Sequence, residues 1–316
     1  MGKATTKPTY FFKNKPLFGL DLGNGSLKVM QIAADSLGTP KPRIIGYGTA
    51  KFDPAAVEDG VIVHPDIVAE AMFKLFKSEL TGDVTTRRVA MAIPAYRTFT
   101  RAISLPSLKP KEVNEAVQLE AEQYIPLPLE ELYLDYTVIK SDKDSTEVFA
   151  IAVPRKIVDS YLDLAKIAGL EVMVIETTLG GGARLFAADH QSNMPSVIID
   201  FGSLSSDISI YDKNVLVTGT VQGGGSVFTE VIRAKLGVTQ TEAGIIKNRY
   251  GLSLSKKQRE IREALDPTLK QIVKEISRMI RYYEERSTDK RKVTQVVTLG
   301  GGANMPGLSE YLTNML

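Results

Sequence analysis

Two stretches of the chain repeat one pattern of apolar and polar residues. Residues 20–29 and residues 199–210 each contain an apolar strand that ends in an aspartate, a turn of Gly, Ser or Asn, and a second, alternating strand. The Asn24-Gly25 pair in the first stretch is a strong short-range signal for a β-hairpin. Because Asp21 and Asp200 stand 179 residues apart, about the size of one lobe, the pattern predicts one hairpin in each of two lobes.

The apolar spacing elsewhere predicts alternating strands and helices. Helical spacing follows Pro65, covers residues 109–124, extends from Pro154 to Ala168, and resumes after Pro267. Residues 94–153 break this alternation, since their order is strand, helix, strand, strand, with a polar turn at 141–145. We therefore expect a compact insert there.

A third motif, residues 296–308, leads from an apolar strand into Gly300, Gly301 and Gly302, with a helix expected to start near Met305 or Pro306. A turn without side chains leaves open backbone on which an adenine and a ribose can lie. A helix N-terminus nearby also favours phosphate. Glycine triplets recur at 180–182 and 223–225, so a triplet alone does not indicate this chemistry.

The two hairpins have a composition that suits phosphate and magnesium. Small turn residues let successive backbone N–H groups converge on phosphate oxygens, and Ser26 and Ser205 add hydroxyl groups. A carboxylate at the strand end, Asp21 or Asp200, can hold Mg²⁺ through the water shell that this ion retains. The alternative is a pair of ordinary hairpins with aspartates capping their turns, but two of them at this spacing, with the glycine motif, favour a nucleotide.

Composition narrows the class of protein. The 316 residues are 43% hydrophobic, enough for real cores, and the net charge of +2 predicts no nucleic-acid partner. There is no cysteine and only two histidines, which disfavours disulfides and zinc sites. Without a long apolar run or a signal-peptide pattern, the chain is expected to be cytoplasmic. Residues 1–16 are expected to form a basic, flexible tail.

The sequence resembles a known superfamily at its three motifs. DLGNGS, IDFGSLSSD and TLGGGANMPGL are similar to the phosphate-1, phosphate-2 and adenosine motifs of the actin, Hsp70 and FtsA ATPases. EAEQYIPLPLEELYLDY at 120–136, IRYYE at 280–284 and VEDGVI at 57–62 resemble the PilM family of type IV pilus assembly proteins. The resemblance covers about residues 17–316. It implies an α/β actin-like ATPase fold with two lobes, each around a mixed sheet, and a β-α-β-β insert of the FtsA and PilM type, called 1C.

The same resemblance implies ATP and Mg²⁺ as cofactors, bound between the lobes. Asp21 and Asp200 would hold the metal through water. The implied nucleotide contacts are Gly23, Asn24, Gly25, Ser26, Lys28, Gly202, Ser203, Ser205, Glu242, Lys247, Gly300, Gly301 and Gly302.

Two of the implied roles have structural alternatives. Glu176 lies where the first lobe would cross to the second, and it is the candidate to orient the attacking water, but an acid at a helix start also stabilises that helix. Glu242 and Lys247 match a helix that meets adenosine in relatives, yet Thr239 and Glu242 also have the spacing of a capping box.

The resemblance also implies a division of the chain. Lobe one would comprise 17–93 and 154–194 (1A) around the insert at 94–153, and lobe two would comprise 195–230 and 273–316 (2A) around 231–272 (2B). Family members normally continue with another strand and helix, so lobe two is expected to be incomplete at the C-terminus.

The expected function is that of an ATP-binding scaffold in type IV pilus assembly, with slow or no ATP hydrolysis. The partner implied is the cytoplasmic N-terminal peptide of a PilN-like inner-membrane protein, which would hold the chain at that membrane; pilus motor ATPases and further copies of the chain are other expected partners. A filament-forming, FtsA-like division protein and a kinase of the same superfamily remain alternatives at this point, as does a form that never turns over.

Overall fold

A computed structural model describes residues 15–33, 41–188, 193–287 and 290–316. The basic tail expected at 1–16 falls almost wholly outside them. The strands are β1 (Phe18–Leu22), β2 (Ser26–Ile32), β3 (Ile44–Lys51), β4 (Val57–Glu58), β5 (Val61–Ile62), β6 (Thr81–Gly82), β7 (Arg88–Ile93), β8 (Phe99–Pro106), β9 (Leu132–Ser141), β10 (Ser145–Pro154), β11 (Glu171–Thr177), β12 (Ser196–Phe201), β13 (Ser205–Asp212), β14 (Asn214–Gln222) and β15 (Gln295–Leu299). The α-helices are α1 (Pro65–Lys74), α2 (Pro110–Tyr124), α3 (Arg155–Ile167), α4 (Thr178–Ala187), α5 (Gly225–Leu236), α6 (Gln240–Arg249), α7 (Gln258–Arg286) and α8 (Leu308–Met315).

Two compact units divide the chain. The first unit combines Met1–Ala92 with Asp159–Glu176. Its six-stranded sheet has the order β11-β7-β1-β2-β3-β6, in which β1 pairs antiparallel with β2 and parallel with β7. One face is the core, where alternate residues of the central strands, Phe18, Leu20, Leu27 and Val29, are buried because successive side chains on a strand point to opposite faces.

The second unit combines Ile93–Val158 with Thr177–Leu316. Its larger sheet has the order β14-β13-β12-β15, with β12 antiparallel to β13 and parallel to β15. Every residue of β12 except Asp200 is buried, as expected of a central strand covered on both faces. α5 and α7 contribute Phe228, Ile232 and a long apolar stripe to one core, and α4 contributes Ala183 and Phe186 to another.

The β-α-β-β insert forms its own small sheet in the second unit. The strand order is β8-β10-β9, all antiparallel, and α2 covers one face with Val113 and Val117 against Ile103 and Val148. The Ile-Pro-Leu-Pro-Leu stretch continues this core, since Ile125 is buried and its two leucines pack around it. The edge strand β8 meets the edge strand β14, where the hydroxyls of Thr100 and Thr218 are hydrogen-bonded.

The helix expected after Pro267 begins nine residues before that proline. α7 starts at Gln258 and passes through Pro267 without ending. Proline in a helix interior costs about 3 kcal/mol. Ile261 and Leu265, before the proline, are fully buried on the same stripe as Leu269 and Ile272. Burying each such side chain contributes about 1.5–3 kcal/mol, which outweighs the lost backbone hydrogen bond. The last helix also begins later than expected, at Leu308, because Gly307 adopts a left-handed conformation.

A polar network joins the end of α7 to the turn between β13 and β14. The Tyr283 hydroxyl donates to Asp212 Oδ2 at 2.6 Å, and the Arg291 guanidinium pairs with the other oxygen of Asp212. Burial, with the Asp212 hydrogen bond, raises the pKa of Tyr283 to about 12. The network therefore fixes the C-terminal end of a 29-residue helix to the sheet.

We expect Tyr283→Phe to lower the free energy of unfolding by about 1.5–3 kcal/mol, since a hydrogen bond to a charged group contributes on that scale. Urea unfolding followed by circular dichroism measures this change. The matched control is Tyr282→Phe, because Tyr282 is the neighbouring residue and is 45% exposed. Equal unfolding curves for the two variants would show that the Tyr283 hydroxyl contributes nothing to stability.

Candidate functional site

The first hairpin turns at residues 23–25. β1 and β2 pair up to Leu22 and Leu27, and the Gly23 N–H donates to Ser26 O at 2.8 Å. Gly25 has φ +104°, a conformation that glycine adopts without strain, and a Cβ there would lie 2.9 Å from Pro54 Cγ. Asn24-Gly25 thus forms the tight turn that the sequence predicts.

Lys28 bridges the strands at the base of this turn. Its Nζ lies 2.6 Å from Asp21 Oδ2, and the two residues are direct partners in the β1–β2 register. A Cβ on Gly23 would lie 4.0 Å from the same Nζ, so the ammonium group also borders the turn. The hairpin therefore brings together a carboxylate, a cation and a turn of small residues, all predicted from sequence.

The second hairpin places two carboxylates opposite each other. Asp200 and Asp207 are partners in the β12–β13 register. Asp207 is buried and accepts a hydrogen bond from Thr220 Oγ1 at 2.6 Å. Burial raises the pKa of Asp207 to about 6; the negative charge of Asp200 adds to this shift, and the Thr220 hydrogen bond opposes it. Sequence reasoning selected Asp200 and missed Asp207, although both belong to the same motif.

The loop after β14 packs directly on this second turn. The Gly225 N–H donates to Gly202 O at 2.8 Å, and the Ser226 N–H donates to Ser203 O at 2.9 Å. The hydroxyls of Ser203 and Ser226 are hydrogen-bonded at 2.6 Å. A Cβ on Gly224 would lie 2.5 Å from Gly202 O, so only glycine allows this approach. The triplet at 223–225, which the sequence did not assign to the site, thus lies within it.

The third glycine motif reaches the same place from the other side. Gly300 follows β15, has φ +80°, and would collide with Asp200 Oδ1 and the backbone of Phe201 if it carried a side chain. A Cβ on Gly302 would lie 2.8 Å from Phe201 Cβ. Gly301 differs, because a Cβ there would meet no described atom within 4 Å. Gly300 and Gly302 therefore form contacts within the protein, whereas Gly301 faces open space.

Lys247 completes the cluster. Its Nζ donates to Gly225 O at 2.7 Å from the C-terminal half of α6. Burial lowers the pKa of Lys247, as expected for a cation removed partly from water. Gly225 thus lies between Lys247, the Gly202 carbonyl and Gly302.

Glu242 lies at the other end of α6 and forms the capping box. Its carboxylate accepts from the Thr239 N–H at 2.9 Å and from the Thr239 hydroxyl at 2.8 Å, and these bonds lower its pKa. The structural alternative raised from sequence is therefore present.

Glu176 is the last residue but one of β11. The cap of α4 is Thr177, whose hydroxyl accepts from the Gly180 N–H at 3.0 Å, and the first turn of α4 contains no acidic residue. Glu176 therefore lies directly before the cap residue of α4 and outside the first turn of that helix.

The carboxylates of the second hairpin suit a strongly hydrated cation better than a metal ion enclosed entirely by side chains. Among the residues that the structure describes, no group of three or more His, Cys, Asp or Glu side chains could enclose a metal ion. The Asp200–Asp207 pair offers carboxylate oxygens only. Such a pair fits Mg²⁺, which keeps several waters and commonly binds through one or two carboxylates and substrate phosphates.

A second concavity lies between the insert sheet and β14. Its volume is about 270 Å³, and it lies beside the Thr100–Thr218 contact. Tyr96 lines the concavity and is 41% exposed. The Arg97 guanidinium lies 5.5 Å from the centre of its ring. The lining includes Tyr96, Phe149, Ile151, Leu179, Val215 and Thr218. We call this concavity the insert groove.

β14 is common to the groove and the second hairpin. Thr218 contacts the insert, and Thr220, two residues further along the same face, donates a hydrogen bond to Asp207.

Within the described ranges, no helix is long and apolar enough to cross a membrane.

Comparison with solved structures gives the fold. The chain aligns with the structure "PilM-PilN type IV pilus biogenesis complex" at 23% identity and TM-score 0.80, covering 96% of this chain and 86% of that one. The ethanolamine utilization protein EutJ from Carboxydothermus hydrogenoformans gives 18% identity and TM-score 0.58, covering 96% and 82%. MreB 5 of Spiroplasma citri bound to AMPPNP gives 15% identity and TM-score 0.53, covering 96% and 89%.

A family profile decides the classification. The profile described as "Type IV pilus assembly protein PilM" matches residues 19–316, nearly the whole chain. The match extends over both hairpins, the insert and the glycine motif, and the expected fold class is confirmed. The chain therefore belongs to the PilM family of type IV pilus assembly proteins.

Proposed function

We propose that the protein is an ATP- and Mg²⁺-binding scaffold on the cytoplasmic side of type IV pilus assembly. The observation that carries this proposal is the convergence of the 202–205 and 300–302 loops on Gly225, whose carbonyl accepts a hydrogen bond from Lys247. Backbone turns without side chains, beside a cation, are what polyphosphate recognition requires. An ordinary strand connection needs neither the close packing nor the half-buried lysine.

The adenosine would lie on Gly301. Its two neighbours are filled by protein contacts, while Gly301 itself borders open space. The phosphates would then meet the 202–205 turn, with Gly23, Asn24, Gly25, Ser26 and Lys28 of the first hairpin as further contacts. Glu242 would contribute through the placement of α6, since its carboxylate already caps that helix.

Mg²⁺ would be held on the side of Asp21 and Asp200, through its waters. Asp207 supports this assignment because it is buried and lies opposite Asp200 in the β12–β13 register, so that a cation would offset the cost of two neighbouring carboxylates. The ion would neutralise the β- and γ-phosphates. If the protein hydrolyses ATP slowly, Glu176 would orient the attacking water. A protein that acts only as a scaffold would bind ATP without hydrolysing it.

The partner would be the cytoplasmic N-terminal peptide of a PilN-like inner-membrane protein. The insert groove supports this because it combines aromatic and aliphatic walls with the edges of two strands, features that suit an extended peptide. This contact would hold the protein at the inner membrane. Contacts with motor ATPases and further copies, and the division into 1A, 1C, 2A and 2B, belong to the same proposal.

Gly301→Val is the sharpest test of the adenosine position. A Cβ there meets no described atom, so the variant should keep its melting temperature and yet bind ATP about 10-fold more weakly, an overpacking effect of roughly 1–3 kcal/mol. Isothermal titration calorimetry measures the affinity, and Gly301→Ala is the smaller control. Unchanged ATP affinity in a folded Gly301→Val variant would move the adenosine elsewhere.

Asp21→Ala and Asp200→Ala test the metal side. Each should remove the gain in ATP affinity that Mg²⁺ provides and should leave the metal-free affinity comparatively unchanged, because the carboxylates act on the ion's waters. Titration calorimetry with Mg²⁺ and with EDTA separates the two. The control is Asp142→Ala, an exposed turn aspartate of the insert. A full Mg²⁺ effect in both variants would exclude these carboxylates as metal ligands.

Tyr96→Ala tests the insert groove. A synthetic PilN-like N-terminal peptide should bind the parent with micromolar affinity, about −8 kcal/mol. Binding should weaken about 10-fold in Tyr96→Ala while ATP binding persists, because an aromatic wall is lost. The matched control is Tyr133→Ala, since Tyr133 lies on the insert sheet, is similarly exposed at 40%, and does not line the groove. Fluorescence anisotropy of the labelled peptide gives both affinities; equal binding by both variants would place the peptide at another surface.

A further inference from the structure

The second half of α7 and the segment after it carry a concentrated positive charge. Residues 270–292 contain eight Lys and Arg against four Asp and Glu, a net charge of +4, whereas the whole chain has only +2. The remaining residues together are therefore net negative. Such asymmetry on a protein that is nearly neutral overall indicates a surface for an anionic partner.

Some of these cations form ion pairs within the described part of the chain, and others do not. Lys270 pairs with Asp266, Arg278 with Glu275, and Arg291 with Asp212. By contrast, no ion pair to a carboxylate is present for Lys274, Arg281, Lys290 or Lys292 in the part of the chain that the structure describes, and all four side chains are exposed. Lys274, Arg278 and Arg281 follow each other at intervals of four and three residues, so they lie along one side of the helix.

The surface is concave rather than flat. One hollow of about 460 Å³ is lined by four cations, Arg281, Lys290, Arg291 and Lys292, and by two carboxylates, Glu284 and Glu285. A second hollow, of about 780 Å³, is lined by Lys274, Arg278 and Arg281 with Glu275, which pairs with Arg278. Both include Ser277 and Arg281, so they adjoin. Each volume is within the range of small-molecule sites, which is enough for a phosphate headgroup.

An exposed aromatic residue stands on the same helix. Tyr282 is 45% exposed, and the Arg286 guanidinium lies over its ring at 3.9 Å. Tyrosine is favoured at membrane–water boundaries because its ring is apolar and its hydroxyl is polar. Cations with an amphipathic aromatic side chain are typical of surfaces that lie on a bilayer.

We propose that the α7 basic face, defined as Lys274, Arg278, Arg281, Lys290 and Lys292, binds the headgroups of anionic phospholipids. A membrane leaflet offers many phosphates in one plane, which matches cations spread over two adjoining hollows better than a single small anion does. This contact involves lipid only. It depends neither on ATP nor on the peptide partner proposed above, so its failure would leave those proposals intact.

The test is flotation of the full chain with vesicles of phosphatidylcholine, with and without one-third phosphatidylglycerol. The patch variant carries Arg281→Glu, Lys290→Glu and Lys292→Glu. Each basic residue near an anionic surface changes affinity about fivefold, so three reversals should lower binding at least about 100-fold. Binding of the parent should fall steeply at about 0.3 M salt, where screening shortens the range of charge.

The matched control carries Lys111→Glu, Lys256→Glu and Lys257→Glu, which change the net charge equally at exposed positions outside the face. It should float with the parent, and circular dichroism melting shows that both variants are folded. Equal loss in both variants would reduce the effect to overall charge, and equal flotation of the patch variant and the parent would refute the proposal. Association of the parent without vesicles that the patch variant loses would assign the face to a second copy instead.

Discussion

At the end of β12, three chain segments approach so closely that no side chain fits between them. The carbonyls of Gly202 and Ser203 accept from the start of α5, and the side chain of Asp200 lies where Gly300 would carry a Cβ. Backbone contacts of this kind need glycine because any larger residue forces the segments apart. The order of the sheet, with β12 between β13 and β15, serves to deliver these segments to one point.

The sequence predicted the two hairpins because their signals are local. A turn such as Asn24-Gly25 is specified by the conformations that its own residues prefer. The glycine triplets show the opposite case. Residues 180–182 lie inside α4, where Thr177 caps the helix and Ala183 and Phe186 pack in a core, while residues 223–225 lead from β14 into the site. Identical tripeptides take different roles because contacts with residues far away in the sequence determine their structure. A single sequence does not show which distant residues will be in contact. Asp207 and Ser226 were missed for the same reason.

Helix capping and ligand binding can select the same type of residue at one position. Glu242 satisfies two donors at the start of α6 and, by fixing that helix, determines where Lys247 reaches. Pro267 makes a related point, since a residue that ends helices by itself is carried through by the buried stripe around it. β14 likewise serves two regions, because it contacts the insert through Thr218 and the second hairpin through Thr220. A displacement of β14 alters both contacts together.

The carboxyl of Asp207 has a thermodynamic consequence. Its pKa in the folded protein is about 6, against an ordinary value of 3.8, so between about pH 4 and pH 6 the folded chain holds a proton that the unfolded chain has released. The contribution of this group to folding is therefore greatest in acid and declines as the pH rises through that interval. A divalent cation beside Asp200 would favour the ionised form and take over the proton's part in relieving the charge. A proton and a divalent cation would thus compete for this carboxylate pair, and the hairpin that holds it would be least stable with neither.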